Sequence, residues 1–133
     1  MAIFLDTNVV IYLIEWTPQF GRLAANRIES LLLQGERLVV SDLVRMECRV
    51  RPLRMNDATT LAAFDAYFAS AEVDVAPVTP SVCDRAAAIR AAHNLRPMDS
   101  LHLAAALEHG CQRFLTHDMR LAAFSQINID VLS

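Results

Sequence analysis

Short apolar segments alternate with longer amphipathic segments along almost the whole chain. The short segments predict strands at 2–5, 38–40, 113–116 and 128–132, with a further extended piece at 73–77. The longer segments repeat apolar residues at helical spacing and predict helices at 9–15, 21–33, 42–49, 58–70, 80–94, 97–110 and 119–124. Alternation of this kind is typical of a parallel sheet covered on both faces. We therefore expect an α/β fold, with a single domain over residues 1–133.

Capping residues support four of the predicted helix starts. Ser41 and Thr79 each place a hydroxyl directly before a helix, and either Asn56 or Asp57 caps the helix between them. Pro97 stands at the first position of a helix, where its missing N–H costs nothing. These boundaries therefore rest on backbone chemistry as well as on apolar periodicity.

Composition argues against a membrane-spanning or secreted protein. The 133 residues are 54% apolar, with a mean hydropathy of +0.29, but no uninterrupted apolar run approaches the roughly 20 residues that span a bilayer. No basic N-terminal region leads into a signal-like apolar segment, because Asp6 interrupts the first apolar run. We therefore expect a cytoplasmic protein.

The three cysteines do not form a recognisable disulfide or zinc pattern. Cys48, Cys83 and Cys111 are odd in number and lack CxxC spacing. We interpret all three as small buried apolar residues.

The basic residues are concentrated in one stretch of an acidic chain. The net charge is −3, all 12 basic residues are arginines, and Arg45, Arg49, Arg51 and Arg54 lie within ten positions. One guanidinium group can bind two phosphate oxygens at once, so this cluster is a candidate RNA-binding surface. The alternative is a solvated helix end in a chain whose composition has replaced lysine by arginine. The sequence leaves both interpretations open.

Acidic and hydroxyl side chains follow three of the predicted strands. Asp6 follows 2–5, Ser41 follows 38–40, and Thr116 and Asp118 stand at the end of 113–116. In a parallel sheet the carboxyl ends of the strands share one edge, which is where ligands bind. Asp6 alone has a simpler interpretation, because a carboxylate after a strand also caps the next helix.

Two helical acids are positioned to join them. Glu47 lies in the second turn of its helix, and helical side chains tilt toward the N-terminus, so its carboxylate can reach the same edge. Asp99 lies in a first turn, where the helix dipole favours an anion. Glu47 could equally be a solvated helix acid, and Asp99 a dipole partner. However, the residues that follow Asp99 are too apolar for a surface helix, and an acid at the mouth of a buried helix needs a partner.

Convergence of four carboxylates would require cations. Mutual repulsion raises carboxylate pKa values and destabilises the fold unless positive charge is bound, and the chain has no lysine. Hard oxygen ligands without thiolate or imidazole partners select Mg²⁺ or Mn²⁺. Such ions activate water and stabilise charge during phosphodiester hydrolysis. The pattern therefore favours a metal-dependent phosphodiesterase.

Four motifs in order along the chain resemble those of PIN domains, in particular the toxin ribonucleases of the VapBC type. They are LDTNV, SDLVRME, RPMDSLHLAAALEHG and FLTHD. The resemblance implies a PIN-like three-layer sandwich, with a short central parallel sheet flanked by helices. It also implies a Mg²⁺ or Mn²⁺ site built from the catalytic acids Asp6, Glu47, Asp99 and Asp118. The polar residues at matching positions, which support the acids or their metal-bound waters, are Thr7, Asn8, Ser41 and Thr116.

The same resemblance implies a biological role. It predicts an endoribonuclease that hydrolyses RNA, with transfer RNA as one candidate substrate, and that is the toxin of a type II toxin–antitoxin system. It further implies a homodimer and a cognate VapB-like antitoxin, whose C-terminal segment covers the acidic groove and often places a basic side chain in it. With carboxylates supplying the ligands, we interpret His102 as a packed helix residue and His117 as a loop residue near the site.

Two alternative functions remain. A PIN-like module that binds RNA or protein without turnover is one, although acids at all four matching positions count against it. The other is an aspartyl-phosphate protein that uses Asp6. A phosphatase of that kind would have a second acid at position 8, where this chain has Asn8. A receiver domain, the other protein of this class, would have an essential lysine, and this chain has no lysine.

Overall fold

A five-stranded parallel sheet forms the centre of the molecule in the computed structural model, which describes residues 1–133. The strands are β1 (Ala2–Leu5), β2 (Arg37–Ser41), β3 (Val73–Ala76), β4 (Arg113–Thr116) and β5 (Asn128–Val131). Their order in the sheet is β3-β2-β1-β4-β5, and each neighbouring pair is parallel.

Six α-helices and one short 3₁₀ helix connect these strands. The α-helices are α1 (Thr7–Glu15), α2 (Gly21–Leu33), α3 (Asp42–Arg54), α4 (Ala58–Ala69), α5 (Pro80–Ala92) and α6 (Pro97–Glu108), and the 3₁₀ helix spans Met119–Ala123. Helix α1 packs on α2 and α3, α3 packs on α4, and α5 packs on α6. The predicted α/β fold with a helix-flanked parallel sheet is confirmed. None of the helices has both the length and the apolar content needed to cross a membrane.

The central strands explain the uninterrupted apolar runs in the sequence. Ile3, Phe4 and Leu5 are fully buried, as expected for a parallel strand covered on both faces. Phe4 stacks on Phe114 of β4 with ring centroids 5.3 Å apart. Both rings belong to a single cluster of 32 buried apolar residues. The core therefore holds β1 and β4 side by side over a sequence separation of about 110 residues.

The strand order changes direction between β1 and β4. From β1 the chain proceeds to β2 and then β3 on one side of the sheet, whereas β4 is followed by β5 on the other side. The connections after β1 and β4 therefore diverge and leave a crevice at their carboxyl ends, the usual ligand position in open α/β sheets.

Helix α3 is longer than predicted. The sequence interpretation ended it at Arg49, whereas the helix continues to Arg54 with Pro52 in its interior. A proline removes one backbone hydrogen bond, but Pro52 is buried, and the N–H groups of Met55 and Asp57 bond to Arg51 O and Pro52 O at 3.0 and 2.9 Å. Tertiary packing therefore outweighs the local cost of the proline.

Smaller differences concern helix ends and one cysteine. Asp57, not Asn56, caps α4, and α5 ends at Ala92 because His93 has extended backbone angles. Cys48 and Cys111 are buried as expected, but the prediction for Cys83 was wrong. The buried face of α5 follows a row of residues that starts at Val82, and Cys83 lies about 100° away from that row.

A buried hydroxyl couples β2 to α3. Ser41 is fully buried, and its Oγ accepts hydrogen bonds from the N–H groups of Leu43 and Val44 at 3.2 and 3.4 Å. The first turn of α3, and with it the position of Glu47 in the second turn, is thereby fixed to the end of β2.

Ser41→Ala removes this cap and leaves two N–H groups without a partner. We expect the free energy of unfolding to fall by about 1 kcal/mol, measured by urea denaturation. Ser30→Ala, at an exposed position of α2, is the matched control and should change it by less than about 0.5 kcal/mol. Equal effects of the two substitutions would contradict the capping role.

Candidate active site

A cavity of about 220 Å³ opens at the carboxyl edge of the sheet, at the crevice between β1 and β4. Eight of its nine lining residues are polar or charged. The lining residues are Asp6, Thr7, Asn8, Ile11, Glu47, Arg96, Asp99, His102 and Asp118. The structure therefore brings all four predicted acids to one cavity.

Asp6 is both a helix cap and the most buried acid of the cavity. It is 6% exposed, and its Oδ1 accepts the N–H of Thr7 at 2.8 Å. Its Oδ2 accepts hydrogen bonds from Thr116 Oγ1 at 2.7 Å and from Asn8 Nδ2 at 3.4 Å. Burial raises the pKa of the Asp6 carboxyl, although nearby His102 and the hydrogen bonds from the Thr116 hydroxyl and the Thr7 N–H act in the opposite direction. Asp6 thus caps α1 and lines the acidic cavity at the same time.

Glu47 is held by two side chains through one oxygen. Its Oε1 accepts the hydroxyl of Thr7 at 2.5 Å and lies 2.6 Å from Nε2 of His102. Burial acts to raise the pKa of Glu47, but the hydrogen bonds from His102 and Thr7 outweigh it, so the pKa is lowered. Because an ionised carboxylate only accepts hydrogen bonds, Nε2 of His102 is the donor in its contact with Glu47. Its Nδ1 is buried without a partner.

Two arginines neutralise the remaining acids. Arg96 donates from Nε to Asp99 Oδ2 at 2.9 Å, and its Nη2 lies 3.6 Å from Asp118 Oδ2. Arg120 donates to both oxygens of Asp118, at 3.0 and 2.6 Å. The hydrogen bond from Arg120 lowers the pKa of Asp118 below its usual range. Arginine therefore supplies part of the positive charge that the sequence analysis assigned to metal ions alone.

The predicted supporting residues have different roles. Thr116 is buried and connects two acids, because its hydroxyl donates to Asp6 and accepts the N–H of Asp118 at 3.0 Å. Asn8 Oδ1 accepts the N–H of His117 at 3.1 Å and thereby ties α1 to the loop after β4. Ser41 does not line the cavity and acts through α3.

Three residues of the site carry roles that the sequence analysis did not assign. His102 is 2% exposed, as expected for a packed residue, but it also orients Glu47. Its position three residues after Asp99, on the same helical face, was the available signal. Arg96 stands three residues before Asp99, and Arg120 two residues after Asp118, so short-range ion pairing would have found both. His117 lies in the loop near the site, where the hydroxyl of Tyr12 is 2.7 Å from its Nδ1.

The arginine cluster of α3 divides into two halves. Arg45 and Arg49 pair with Asp65 of α4, and the guanidinium of Arg45 lies 5.9 Å from the centre of the Phe68 ring. At 100° per residue, Arg51 and Arg54 fall on the same side of α3 as Glu47, opposite the first pair. Only Arg51 and Arg54 therefore lie on the face of α3 that leads away from the acidic cavity.

The present side-chain conformations do not assemble a metal cage. No three of the acids, or of the histidines and cysteines, lie close enough together to hold one ion. Glu47, Asp99 and Asp118 each have an oxygen that accepts a hydrogen bond from a protein donor. The donor set itself, four carboxylates in one polar cavity, fits a hard divalent cation. Both arginines are mostly exposed, so their side chains can turn away without disturbing the core.

Three solved structures with the same fold share low sequence identity with this chain. VapBC2 from Rickettsia felis, bound to a DNA fragment from its promoter, superimposes with a TM-score of 0.83 at 14% identity over 100% of both chains. A toxin–antitoxin complex from Klebsiella pneumoniae gives 0.77 at 20% identity, over 100% of this chain and 98% of that one. VapC20 from Mycobacterium tuberculosis, a toxin that cleaves the sarcin–ricin loop, gives 0.71 at 20% identity, over 95% and 98%.

The family comparison rests on the sequence itself. No curated protein matches the chain. The model of the PIN domain, however, matches residues 3–127, a span that includes most of β1, the residues of the acidic cavity and β4. With its sheet order and its four acids at the carboxyl edge, this chain belongs to the PIN domain family.

Proposed function

We propose that this PIN domain is a Mg²⁺- or Mn²⁺-dependent endoribonuclease and the toxin of a type II toxin–antitoxin pair. The observation that carries the proposal is the meeting of Asp6, Glu47, Asp99 and Asp118 in one cavity, although they come from four separate segments. Four acids in one place repel one another and lower the stability of the fold, so a purely structural role does not explain why they meet. Similarity of fold to VapBC toxins, one of which cleaves the sarcin–ricin loop, supports RNA as the substrate.

Each acid would have a defined part in the site. Asp6 and Asp99 would hold the principal ion, and Glu47 and Asp118 would complete its coordination directly or through water. A bound divalent ion supplies a water of lowered pKa and positive charge for the phosphorane-like transition state. Thr7 and His102 fix Glu47 through Oε1, so its orientation does not depend on the ion. Thr116 does the same for Asp6.

The RNA backbone would follow α3 away from the cavity. Arg51 and Arg54 share the face of Glu47 and are exposed, and Arg51 has only a surface partner, Glu15, at 3.3 Å. Surface ion pairs of this kind are weak, so phosphates can replace the partner. Arg45 and Arg49 instead stabilise the packing of α3 on α4.

An adjacent apolar strip provides a surface for a protein partner. Met46, Val50 and Leu53 recur at helical spacing on α3, and all three are exposed. Apolar rows on exposed helices are typical of protein interfaces. Because the strip borders the row of Glu47, a partner bound there would also cover the cavity. We assign this surface to a VapB-like antitoxin, and we expect the toxin itself to form a homodimer.

The nuclease proposal is tested with Asp99→Asn. We expect cleavage of total RNA to fall by about 100-fold or more, because the variant loses a carboxylate of the metal site. Chelation with EDTA should abolish cleavage by the wild type, and Mg²⁺ or Mn²⁺ should restore it. Asp84→Asn, at an exposed position of α5, is the charge-matched control and should retain activity. A folded wild-type protein that cleaves no RNA with either metal would instead favour the non-catalytic module.

Asp6→Asn should stabilise the metal-free protein at pH 7. Burial raises the folded-state pKa of Asp6, so the ionised carboxylate costs stability above that pKa. The cost disappears below about pH 3.9, the pKa in the unfolded chain, because Asp6 is then protonated in both states. We therefore expect a higher unfolding free energy for the variant in EDTA at pH 7, with the difference from wild type shrinking as the pH falls. A destabilised variant at pH 7 would contradict this prediction.

Paired substitutions distinguish the roles of the two halves of the arginine cluster in RNA binding. Arg51→Ala with Arg54→Ala should weaken RNA binding and reduce the slope of log affinity against log salt by about 1.4, the value for two contacts to single-stranded phosphates. Arg45→Ala with Arg49→Ala removes the same charge but should leave that slope unchanged and lower thermal stability. An unchanged slope in the first variant would remove α3 from the RNA path.

A further inference from the structure

Arg96 is the one basic side chain that lines the cavity apart from His102. Its guanidinium reaches two of the four acids, Asp99 through Nε at 2.9 Å and Asp118 through Nη2 at 3.6 Å. A cation in this position supplies positive charge to two of the four carboxylates that would hold a divalent ion. In the metal-free protein, Arg96 therefore relieves the repulsion between Asp99 and Asp118.

The backbone of Arg96 is fixed although its side chain is free. Its carbonyl accepts both the N–H and the hydroxyl of Ser100, at 3.0 and 3.1 Å, and Ser100 is buried. Pro97 follows directly and restricts the local backbone further. The side chain, in contrast, is 62% exposed, so the guanidinium can leave the two carboxylates without disturbing the core. When a divalent ion takes over the two carboxylates, the guanidinium remains tethered to the rim of the cavity.

We propose that Arg96 exchanges one partner for another during function: it neutralises Asp99 and Asp118 without metal, and it binds an RNA phosphate once a divalent ion occupies them. The inference rests on the proposed nuclease function. Phosphate oxygens suit the planar guanidinium fork as well as carboxylates do, so the exchange replaces one charge-assisted contact with another. Arg96 thus competes with the divalent ion for Asp99 and Asp118, and it contributes to the binding of the RNA substrate.

Arg120 makes a different set of contacts from Arg96. It binds Asp118 alone, two residues away, and its guanidinium does not line the cavity. Its contacts belong to the start of the short 3₁₀ helix, where Asp118 also accepts the N–H of Arg120 at 3.0 Å. Arg120 therefore neutralises one acid locally and does not bridge two.

The test uses Arg96→Gln and two measurements with opposite expected signs. Isothermal titration with Mn²⁺ alone should show metal binding about 3- to 10-fold tighter than in the wild type, since a competing cation is gone. At saturating Mn²⁺, KM should rise about 10-fold, because a phosphate contact is lost. The substrate is an RNA oligonucleotide that carries a cleavage site mapped with the wild type. A residue with a purely structural role would not tighten metal binding while weakening substrate binding.

Arg85 offers a matched control. It pairs with Glu108 of α6 at 2.9 Å, at the opposite end of the helix from Asp99, and it is 41% exposed. Arg85→Gln removes the same charge and one ion pair, so it should leave both the Mn²⁺ affinity and KM as in the wild type. Arg96→Lys keeps the charge but loses the planar fork. It should preserve the wild-type Mn²⁺ affinity while KM still rises.

The results of these measurements distinguish a failure of the proposed exchange by Arg96 from a failure of the nuclease proposal. A wild type that takes up no Mn²⁺ would overturn the metal site and the role of Arg96 together. If the wild type binds Mn²⁺ and cleaves RNA, but Arg96→Gln binds Mn²⁺ no more tightly, only the competition is refuted. An unchanged KM in that variant would refute the phosphate contact. Melting temperatures within a few degrees of the wild type show that the exposed substitutions have left the fold intact.

Discussion

The change of direction in strand order between β1 and β4 is the constraint on which the site depends. Backbone pairing and the stacked rings of Phe4 and Phe114 hold these two strands together, while their outgoing connections diverge. The resulting crevice receives Asp6 from one strand and Asp118 from the loop after the other. Helices α3 and α6 then need only to begin at the same edge for Glu47 and Asp99 to reach it. The acidic cavity is a product of topology first and of side-chain choice second.

Concentrated negative charge is the cost of this arrangement, and the structure offsets it unevenly. Glu47 and Asp118 have partners that favour the ionised carboxylate, whereas burial makes ionisation of Asp6 unfavourable. A fold selected only for stability would replace Asp6 with a neutral cap, since Ser or Asn serves a helix start equally well. Its retention at the most buried position is consistent with a site that is complete only when further positive charge arrives.

The sequence predicted the architecture and the edge at which the acids meet, because both follow from local rules. Apolar runs such as that of β1 identify buried strands, and parallel pairing places their ends together. The long-range partners of the acids were not predictable in the same way. Arg96 and Asp99 are only three residues apart, but the contact of Arg96 with Asp118 depends on where α6 lies against the loop after β4, which no local pattern encodes. The same limit applies to α3: a proline usually ends a helix, and only packing against the rest of the fold carries this one past Pro52.

The sequence distance between β1 and β4 also has a consequence for synthesis of the protein. Asp6 is synthesised long before the threonine that anchors it, which lies 110 positions later, and Asp118 comes later still. A nascent chain or a fragment truncated before β4 contains three of the four carboxylates, without the strand that closes the crevice beside them. A chain that ends before β4 therefore cannot assemble the cavity, and the complete set of four acids has to wait until the segment with β4 and Asp118 has been synthesised.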